Sequence, residues 1–377
     1  MAPVRAKLAR AGAPRPRGPR TDRLVVDLAV AVAAVGAFAL WIGLRIGGTR
    51  CVLIVDDIGT AAAALAATAL CARAAIRQGG RLRMTWWLLA AACGCWALAE
   101  ITWAVYDLVL DQAVPVPSWA DVGYLGAIPL AVGALWCHPA LHGTQTRRLR
   151  TFFDGLVIAT AVLLTSWTLV IGPLWRSTDL STTGGVVALA YPFGDVVIIF
   201  FVLLAIRRVR SGNRTALVCL LGGLLAMALS DSGYMYLSET HTYATSSLID
   251  TGWFAAYLGI GLAALWSGSG LERMTPTEGR AATTRISFLT PFVPALLALG
   301  VVAVELTLGH TLDGPATLMA LALVILVLAR QGLLALELAT ARPHAEATWL
   351  NDVVRVALGR TTPSPDPKAG RHSGEHV

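Results

Sequence analysis

The sequence predicts an all-α fold, a polytopic bundle of about ten transmembrane helices that contains an internal parallel repeat. Of its 377 residues, 56% are hydrophobic and only 14% are charged, whereas soluble domains carry about 25% charged residues. The mean hydropathy is +0.65. The composition excludes a soluble enzyme and a disordered chain, and six cysteines are too few for a disulfide-stapled scaffold.

The predicted helices follow from the length of the apolar segments, because a helix needs about 20 mostly apolar residues to cross the hydrocarbon core. Ten segments meet this requirement: 24–44, 52–72, 85–109, 119–138, 152–173, 186–206, 216–236, 247–267, 287–308 and 316–337. They define a transmembrane domain over 24–338. A basic cytoplasmic arm (1–23) precedes it, and a cytoplasmic tail (339–377) follows it. We expect the arm to be disordered and the tail to be largely so.

The distribution of arginine predicts the orientation. With ten spans, the arm and every even-numbered loop lie on one side of the membrane, and nearly all basic residues fall there, for example Arg77, Arg148 and Arg208. Positive charge is retained in the cytoplasm. We therefore expect a plasma-membrane protein with both termini inside, and we assign the basic arm to topology and lipid contact rather than to nucleic acid.

Acidic and aromatic residues inside the spans form the candidate site. Ionisable residues are costly in a membrane and mark function or helix contacts. The predicted topology brings several of them, with aromatic neighbours, toward the outer surface. The predicted ligand-binding residues are Glu100, Trp103, Asp121, Tyr124, Asp195, Asp231, Tyr234, Asp250 and Trp253. Such a pocket suits a cation, an amine or a polar ligand. The alternatives are interfacial aromatic belts, helix caps and protonated acids that join helices.

An internal repeat relates spans three and four to spans seven and eight. ALAEITW (97–103) aligns with ALSDSGY (228–234), and ADVGYL (120–125) aligns with IDTGWF (249–254). Each copy ends in a similar segment, LAVGALW or IGLAALW. Glu100 therefore matches Asp231, and Asp121 matches Asp250. YPFGD (191–195) is a weaker third copy in this interpretation. Both strong copies enter the membrane in the same direction, which makes the repeat parallel.

The chain shows no Walker, HExxH or GxSxG motif in a suitable context. His138 and His142 are four residues apart, but the sequence supplies no further ligands beside them. We therefore predict no enzymatic activity, no metal site and no cofactor.

Four segments resemble a known arrangement: PSWADVGYL (117–125), FFDGLVIATAVLLTSW (152–167), LAYPFGD (189–195) and SLIDTGWFAAYLGIGLAALW (247–266). They are similar to the membrane-spanning N-terminal sensor region of actinobacterial signalling proteins, in which GGDEF and EAL domains make and degrade cyclic di-GMP. The resemblance covers roughly residues 25–340. It implies a membrane input module without the catalytic domains, and it transfers no binding residue.

The sequence thus predicts a sensory or signalling input module. It would bind an unknown ligand, or sense the state of the membrane, and relay the change to a cytoplasmic signalling protein. The bilayer is its predicted environment, and homodimerisation is a further expectation. The alternative is a secondary transporter or proton-coupled carrier that uses the intramembrane carboxylates. An intramembrane lipid enzyme and a paralogue without independent function are weaker alternatives.

Overall fold

The computed structural model describes residues 19–112, 114–115, 117–139, 148–177, 181–208, 214–239, 242–243, 246–267 and 292–357. In these ranges the fold is all-α, and each of the ten predicted segments is a helix. The helices are α1 (Pro19–Gly43), α2 (Thr49–Arg77), α3 (Gly80–Ala104, with a π-helical end Val105–Leu110), α4 (Trp119–Cys137), α5 (Arg148–Ser166, with a π-helical turn Trp167–Ile171 and a last part Gly172–Ser177), α6 (Thr183–Arg208), α7 (Arg214–Glu239), α8 (Asp250–Trp266), α9 (Phe292–Thr307) and α10 (Gly314–Ala357).

The predicted polytopic bundle is confirmed. Among the described helices, eight are long and apolar enough to cross a membrane. The other two are α8, with 17 residues, and α9, with 16. Both fall short of the roughly 20 residues of a full span. They flank residues 268–291, so the predicted start of span nine lies outside the described residues.

Toward both ends of the chain, the described helices extend beyond the predicted transmembrane domain. α1 begins at Pro19, inside the predicted arm. α10 continues to Ala357, so residues 339–357 are helical where a largely disordered tail was predicted. Many of the residues from 333 to 347 are Ala, Leu and Glu, which favour helix even without an apolar face. Residues 1–18 and 358–377 lie outside the described ranges. The chain divides into two compact units, Met1–Val324 and Ile325–Val377, and the site belongs to the first.

Six helices of the first unit form a closed ring in the order α2, α3, α4, α6, α7, α8, with α8 packing back against α2. Small buried side chains such as Ala64, Cys93 and Ala131 line their contacts, and such residues let membrane helices approach closely. α1 packs outside the ring against α8, where Phe38 stacks on Phe254 with ring centroids 4.2 Å apart. α5 packs outside the ring against α6 and α9.

The ring shows that the internal repeat comprises three helices rather than two. α2–α4 form one copy and α6–α8 the other. In each copy the first helix packs against the second helix of its own copy and the last helix of the other copy. The ring therefore has pseudo-two-fold symmetry, and α6 corresponds to α2. YPFGD lies on α6, so it matches a segment of α2 and is not a third copy of the two-helix unit.

The starts of α4 and α8 share the same hydrogen bonds. The backbone N–H of Ser118 donates to Asp121 Oδ2 at 2.6 Å, and that of Ser247 donates to Asp250 Oδ2 at 2.6 Å. The two serine hydroxyls also accept a backbone N–H two residues further on, at 3.2 and 3.3 Å. Each aspartate therefore has a structural role at the first turn of its helix, as the alternative interpretation of the sequence expected.

A glycine two residues after each of these aspartates brings the helices of a copy together. A Cβ on Gly123 would lie 2.7 Å from the carbonyl oxygen of Cys95 and 2.9 Å from Cβ of Ala99 in α3. A Cβ on Gly252 would collide with the Ser230 hydroxyl in α7. Ala99 and Ser230 occupy matching positions, directly before Glu100 and Asp231. The matched glycines thus make matched contacts, which supports the alignment of the two copies.

Candidate functional site

One end of the ring encloses a cavity of about 270 Å³. It lies where α3 and α7 end and where α2, α4 and α8 begin, and side chains from the α3–α4 and α7–α8 connections complete it. Its volume is just below the range of about 300–1,000 Å³ typical of drug-sized sites, so it fits a small ligand. The described lining includes six carboxyl groups, those of Asp56, Asp57, Glu100, Asp121, Asp231 and Asp250.

The structure brings eight of the nine predicted site residues to this cavity. Asp195 is the exception, because it is 1% exposed and does not line the cavity. It accepts a hydrogen bond from Ser232 Oγ at 2.9 Å and is hydrogen-bonded to Asp231 behind the cavity wall. Asp195 thus supports a lining residue rather than facing the cavity itself.

Glu100 and Asp231 occupy equivalent positions on α3 and α7, and both have donors. The hydroxyl of Tyr257 donates to Glu100 Oε1 at 2.9 Å, and the side chain of Tyr124 is hydrogen-bonded to the same carboxyl. Trp253 Nε1 donates to Asp231 Oδ1 at 2.6 Å. Tyr124 and Trp253 match each other in the repeat, so each copy ties its last helix to its middle helix by the same contact.

Asp121 and Asp250 also match in the repeat. Each faces a helix of the other copy, but the side chain that this helix presents is a tyrosine in one case and an aspartate in the other. Tyr191 of α6 donates its hydroxyl to Asp121 Oδ1 at 2.5 Å. On the other side of the ring, Asp56 of α2 is hydrogen-bonded to Asp250. A hydrogen bond between two carboxyl groups requires a proton on one of them.

Tyr243 completes the wall beside Asp250, from the connection between α7 and α8. Its hydroxyl donates to Asp250 Oδ1 at 3.4 Å. Burial, followed by the nearby charge of Asp250, raises the pKa of Tyr243 above its ordinary value. The hydroxyl therefore remains a donor throughout the physiological pH range.

Among the lining carboxyl groups of the described residues, Asp57 is the one with a fully buried oxygen that has no hydrogen-bond partner. Only 8% of Asp57 is exposed, and Oδ2 has no hydrogen-bond donor among these residues. A buried carboxylate oxygen without a donor costs about 1–3 kcal/mol or more. Such a group at a cavity wall is typical of a site that a ligand completes.

Aromatic rings form the remaining wall. Trp103 and Tyr234 match in the repeat and meet edge to face across the pseudo-two-fold axis, with centroids 6.4 Å apart. Tyr234 also contacts Trp253 at 5.9 Å and Tyr243 at 4.7 Å. These π faces lie beside the carboxyl groups, an arrangement that attracts organic cations.

Four acidic or aromatic lining residues were not among the predicted site residues: Asp56, Asp57, Tyr191 and Tyr243. Tyr243 lies in the α7–α8 connection, outside the predicted spans. The other three were visible as acidic or aromatic residues in spans, but the two-helix alignment gave them no partner. DDIGT (56–60) can be aligned with YPFGD (191–195) through the shared glycine, which pairs Asp56 with Tyr191. That alignment was the signal that could have found them.

The described lining contains no Lys, Arg or His to balance the six carboxyl groups. Most of these groups are occupied by structural hydrogen bonds, which fixes their geometry. No protein-family model, curated protein or solved structure matches the chain.

Proposed function

We propose that this integral membrane protein is a sensory input module whose cavity binds a small organic cation and relays binding to a cytoplasmic signalling partner. The observation that carries the proposal is the lining itself, six carboxyl groups and a continuous aromatic wall with no cationic side chain among the described residues. Mutual repulsion among carboxylates at short range is relieved by a bound cation. The aromatic faces add selectivity for an organic cation.

The cavity faces the outside in this proposal. α2 ends at Arg77 and α3 begins at Gly80, and the turn between them is flanked by Arg73, Arg81 and Arg83. The cavity lies at the opposite end of these two helices, near Asp56 and Trp103. Because arginine-rich turns remain cytoplasmic, the cavity opens toward the periplasmic or extracellular side, and both termini are inside.

The length of α10 supports the relay. The helix has 44 residues, or about 66 Å at 1.5 Å per residue, whereas the hydrocarbon core is about 30 Å thick. A helix of this length extends beyond the core and reaches a cytoplasmic protein or a second copy of the chain. The resemblance to sensor regions of cyclic di-GMP signalling proteins supports the same role.

A binding titration tests the proposal. The purified chain in lipid nanodiscs is titrated with n-butylamine, 2-phenylethylamine and butane-1,4-diamine, and tryptophan fluorescence is recorded because Trp103 and Trp253 line the cavity. We expect a saturable change with at least one amine and none with 3-phenylpropionate, an anion of similar size. The Trp103→Phe, Trp253→Phe variant is the control for the origin of the signal. Absence of saturable binding by all three amines would overturn the proposal.

A cation carrier is the second candidate. The observation in its favour is the parallel three-helix repeat around a carboxyl-lined cavity, an arrangement that some transporters use. The π-helical end of α3 adds to it, since π segments often occur at functional sites. Proteoliposomes loaded with one of the amines above separate the candidates. Carrier function predicts amine efflux that an imposed proton gradient accelerates, whereas a sensor predicts binding without flux.

A further inference from the structure

The two sides of the ring hold equivalent aspartates by different means. Asp121 is satisfied by the Tyr191 hydroxyl at 2.5 Å and by the Ser118 backbone. Asp250 keeps the equivalent backbone bond from Ser247, but it faces Asp56 where its counterpart faces Tyr191. A neutral donor on one side is thus replaced by a carboxyl group on the other, although the backbone arrangement is the same.

An account of donors separates the lining carboxyl groups into two sets. Glu100 receives the Tyr257 hydroxyl, Asp231 receives Trp253 Nε1, and Asp121 receives Tyr191. The second set is Asp56, Asp57 and Asp250, on the α2–α8 side of the ring, which we call the carboxyl cluster. Asp250 also receives the Tyr243 hydroxyl at 3.4 Å, but its partner on α2 is the Asp56 carboxyl group. Asp57 Oδ2 is buried and has no donor among the described residues.

The cluster has no counter-ion in the adjacent part of α2. Arg50, at the start of the same helix, donates to the carbonyl oxygen of Leu108 at 2.9 Å and lies 3.6 Å from Asp111. Its guanidinium therefore contacts Leu108 and Asp111 at the end of α3 instead of pairing with Asp57. The other charged groups that act on Asp57 are Asp56 and Asp107, which are also acidic.

We propose that the carboxyl cluster binds a primary ammonium head group, with the rest of the ligand held against the aromatic wall. The inference rests on the proposed function and specifies the ligand's chemistry. A primary ammonium carries three N–H donors, enough for Asp57 Oδ2 and for the oxygens of the Asp56–Asp250 pair. A quaternary ammonium has the same charge and no donor, so it leaves Asp57 Oδ2 unsatisfied. Trp253 lies one helical turn after Asp250 on the same face of α8, where its ring is placed for the ligand body.

The test compares 2-phenylethylamine with its N,N,N-trimethyl derivative in nanodiscs by isothermal calorimetry. We expect the primary amine to bind about 10- to 100-fold more tightly, the ratio for charge-assisted hydrogen bonds. We also expect Asp57→Asn to remove most of this ratio. Asp121→Asn is the comparison variant on the other side of the ring: it removes a lining carboxyl group outside the cluster, so it should weaken binding of both probes alike and preserve the ratio. Thermal unfolding of both variants checks that each is folded.

The outcomes separate the two proposals. Equal affinity for the two probes would overturn the ammonium assignment and leave the cation-binding function in place. A ratio that survives Asp57→Asn and is lost in Asp121→Asn would place the head group on the other side of the ring, which also overturns the inference. Absence of binding by both probes and by the other amines would overturn the proposed function itself.

Discussion

The two three-helix copies of the ring share their backbone design and differ in how they satisfy their carboxyl groups. Both start their last helix with a serine–aspartate pair and bring it against the middle helix at a glycine. In the seam between α6 and α4 a tyrosine hydroxyl meets an aspartate, whereas in the seam between α2 and α8 two carboxyl groups meet. The helix starts and the glycine contacts are therefore shared, and the copies diverge in the group that each helix-start aspartate faces across the seam.

The largest effects are expected at the two matched glycines. Gly123→Val should lower the free energy of unfolding by about 3 kcal/mol, the upper end for overpacking, because the obstructing atom is the Cys95 carbonyl oxygen, which cannot rotate away. The measurement is helix content by circular dichroism during titration of the micelle-bound protein with SDS. A loss below about 1 kcal/mol would contradict the close approach of α3 and α4.

The second glycine sharpens the comparison. Gly252→Ala should also destabilise, but Ser230→Ala in the same chain should restore most of the loss, because the obstruction there is a side-chain hydroxyl. The equivalent double variant, Gly123→Ala with Ala99→Gly, should show little rescue, because the Cys95 carbonyl remains. Equal rescue in both copies would contradict the difference between the two contacts.

An intermediate loss of unfolding free energy is expected when a tyrosine hydroxyl that donates to a lining carboxyl group is removed. Tyr257→Phe leaves Glu100, which is 9% exposed, without its 2.9 Å donor and should cost about 2 kcal/mol. Tyr191→Phe should cost about 1 kcal/mol, since Asp121 is less buried and keeps the Ser118 backbone bond. The SDS titration measures both, and the reverse order would show that the α6–α4 seam depends more heavily on its hydroxyl.

The smallest effect is expected at the two helix starts. Ser118→Ala and Ser247→Ala should each cost about 1 kcal/mol, because each removes the side-chain hydrogen bond to the backbone N–H two residues further on. Ser118→Ala also removes a bond of 3.2 Å from its hydroxyl to Asp121 Oδ2, which is already held by the Ser118 backbone. The two losses should agree within about 0.5 kcal/mol, the usual uncertainty of such comparisons. A clearly larger loss at one site would show that the copies do not share this cap.

Much of the fold was predictable because hydrophobic segments depend on local composition. The helical character of all ten segments and the match of Glu100 with Asp231 follow directly from the sequence. The third helix of each copy was not recognised, because DDIGT and YPFGD share one glycine and no acid in register. One shared glycine is a weak signal, and the structure adds the evidence that Asp56 and Tyr191 face equivalent aspartates.

The candidate site was predictable in its chemistry and less so in its boundary. Eight of the acids and aromatics that were singled out because charge burial in a span is costly line the cavity. Asp195 is also a buried acid, but it does not line the cavity and instead accepts a hydrogen bond from Ser232. The direction of a side chain around a helix axis depends on neighbouring helices, and apolar spans carry almost no amphipathic signal to reveal it.

The closed ring has a consequence for motion. Each copy ties its last helix to its middle helix by a glycine contact and by the Tyr124–Glu100 or Trp253–Asp231 hydrogen bond. The two copies meet at the α2–α8 and α4–α6 seams and through the Tyr257–Glu100 bond, which joins α8 to α3. Of the two seams, only α2–α8 joins two carboxyl groups, Asp56 and Asp250. A ligand that enters the α2–α8 seam would rotate one copy relative to the other about the opposite seam, where Tyr191 is hydrogen-bonded to Asp121.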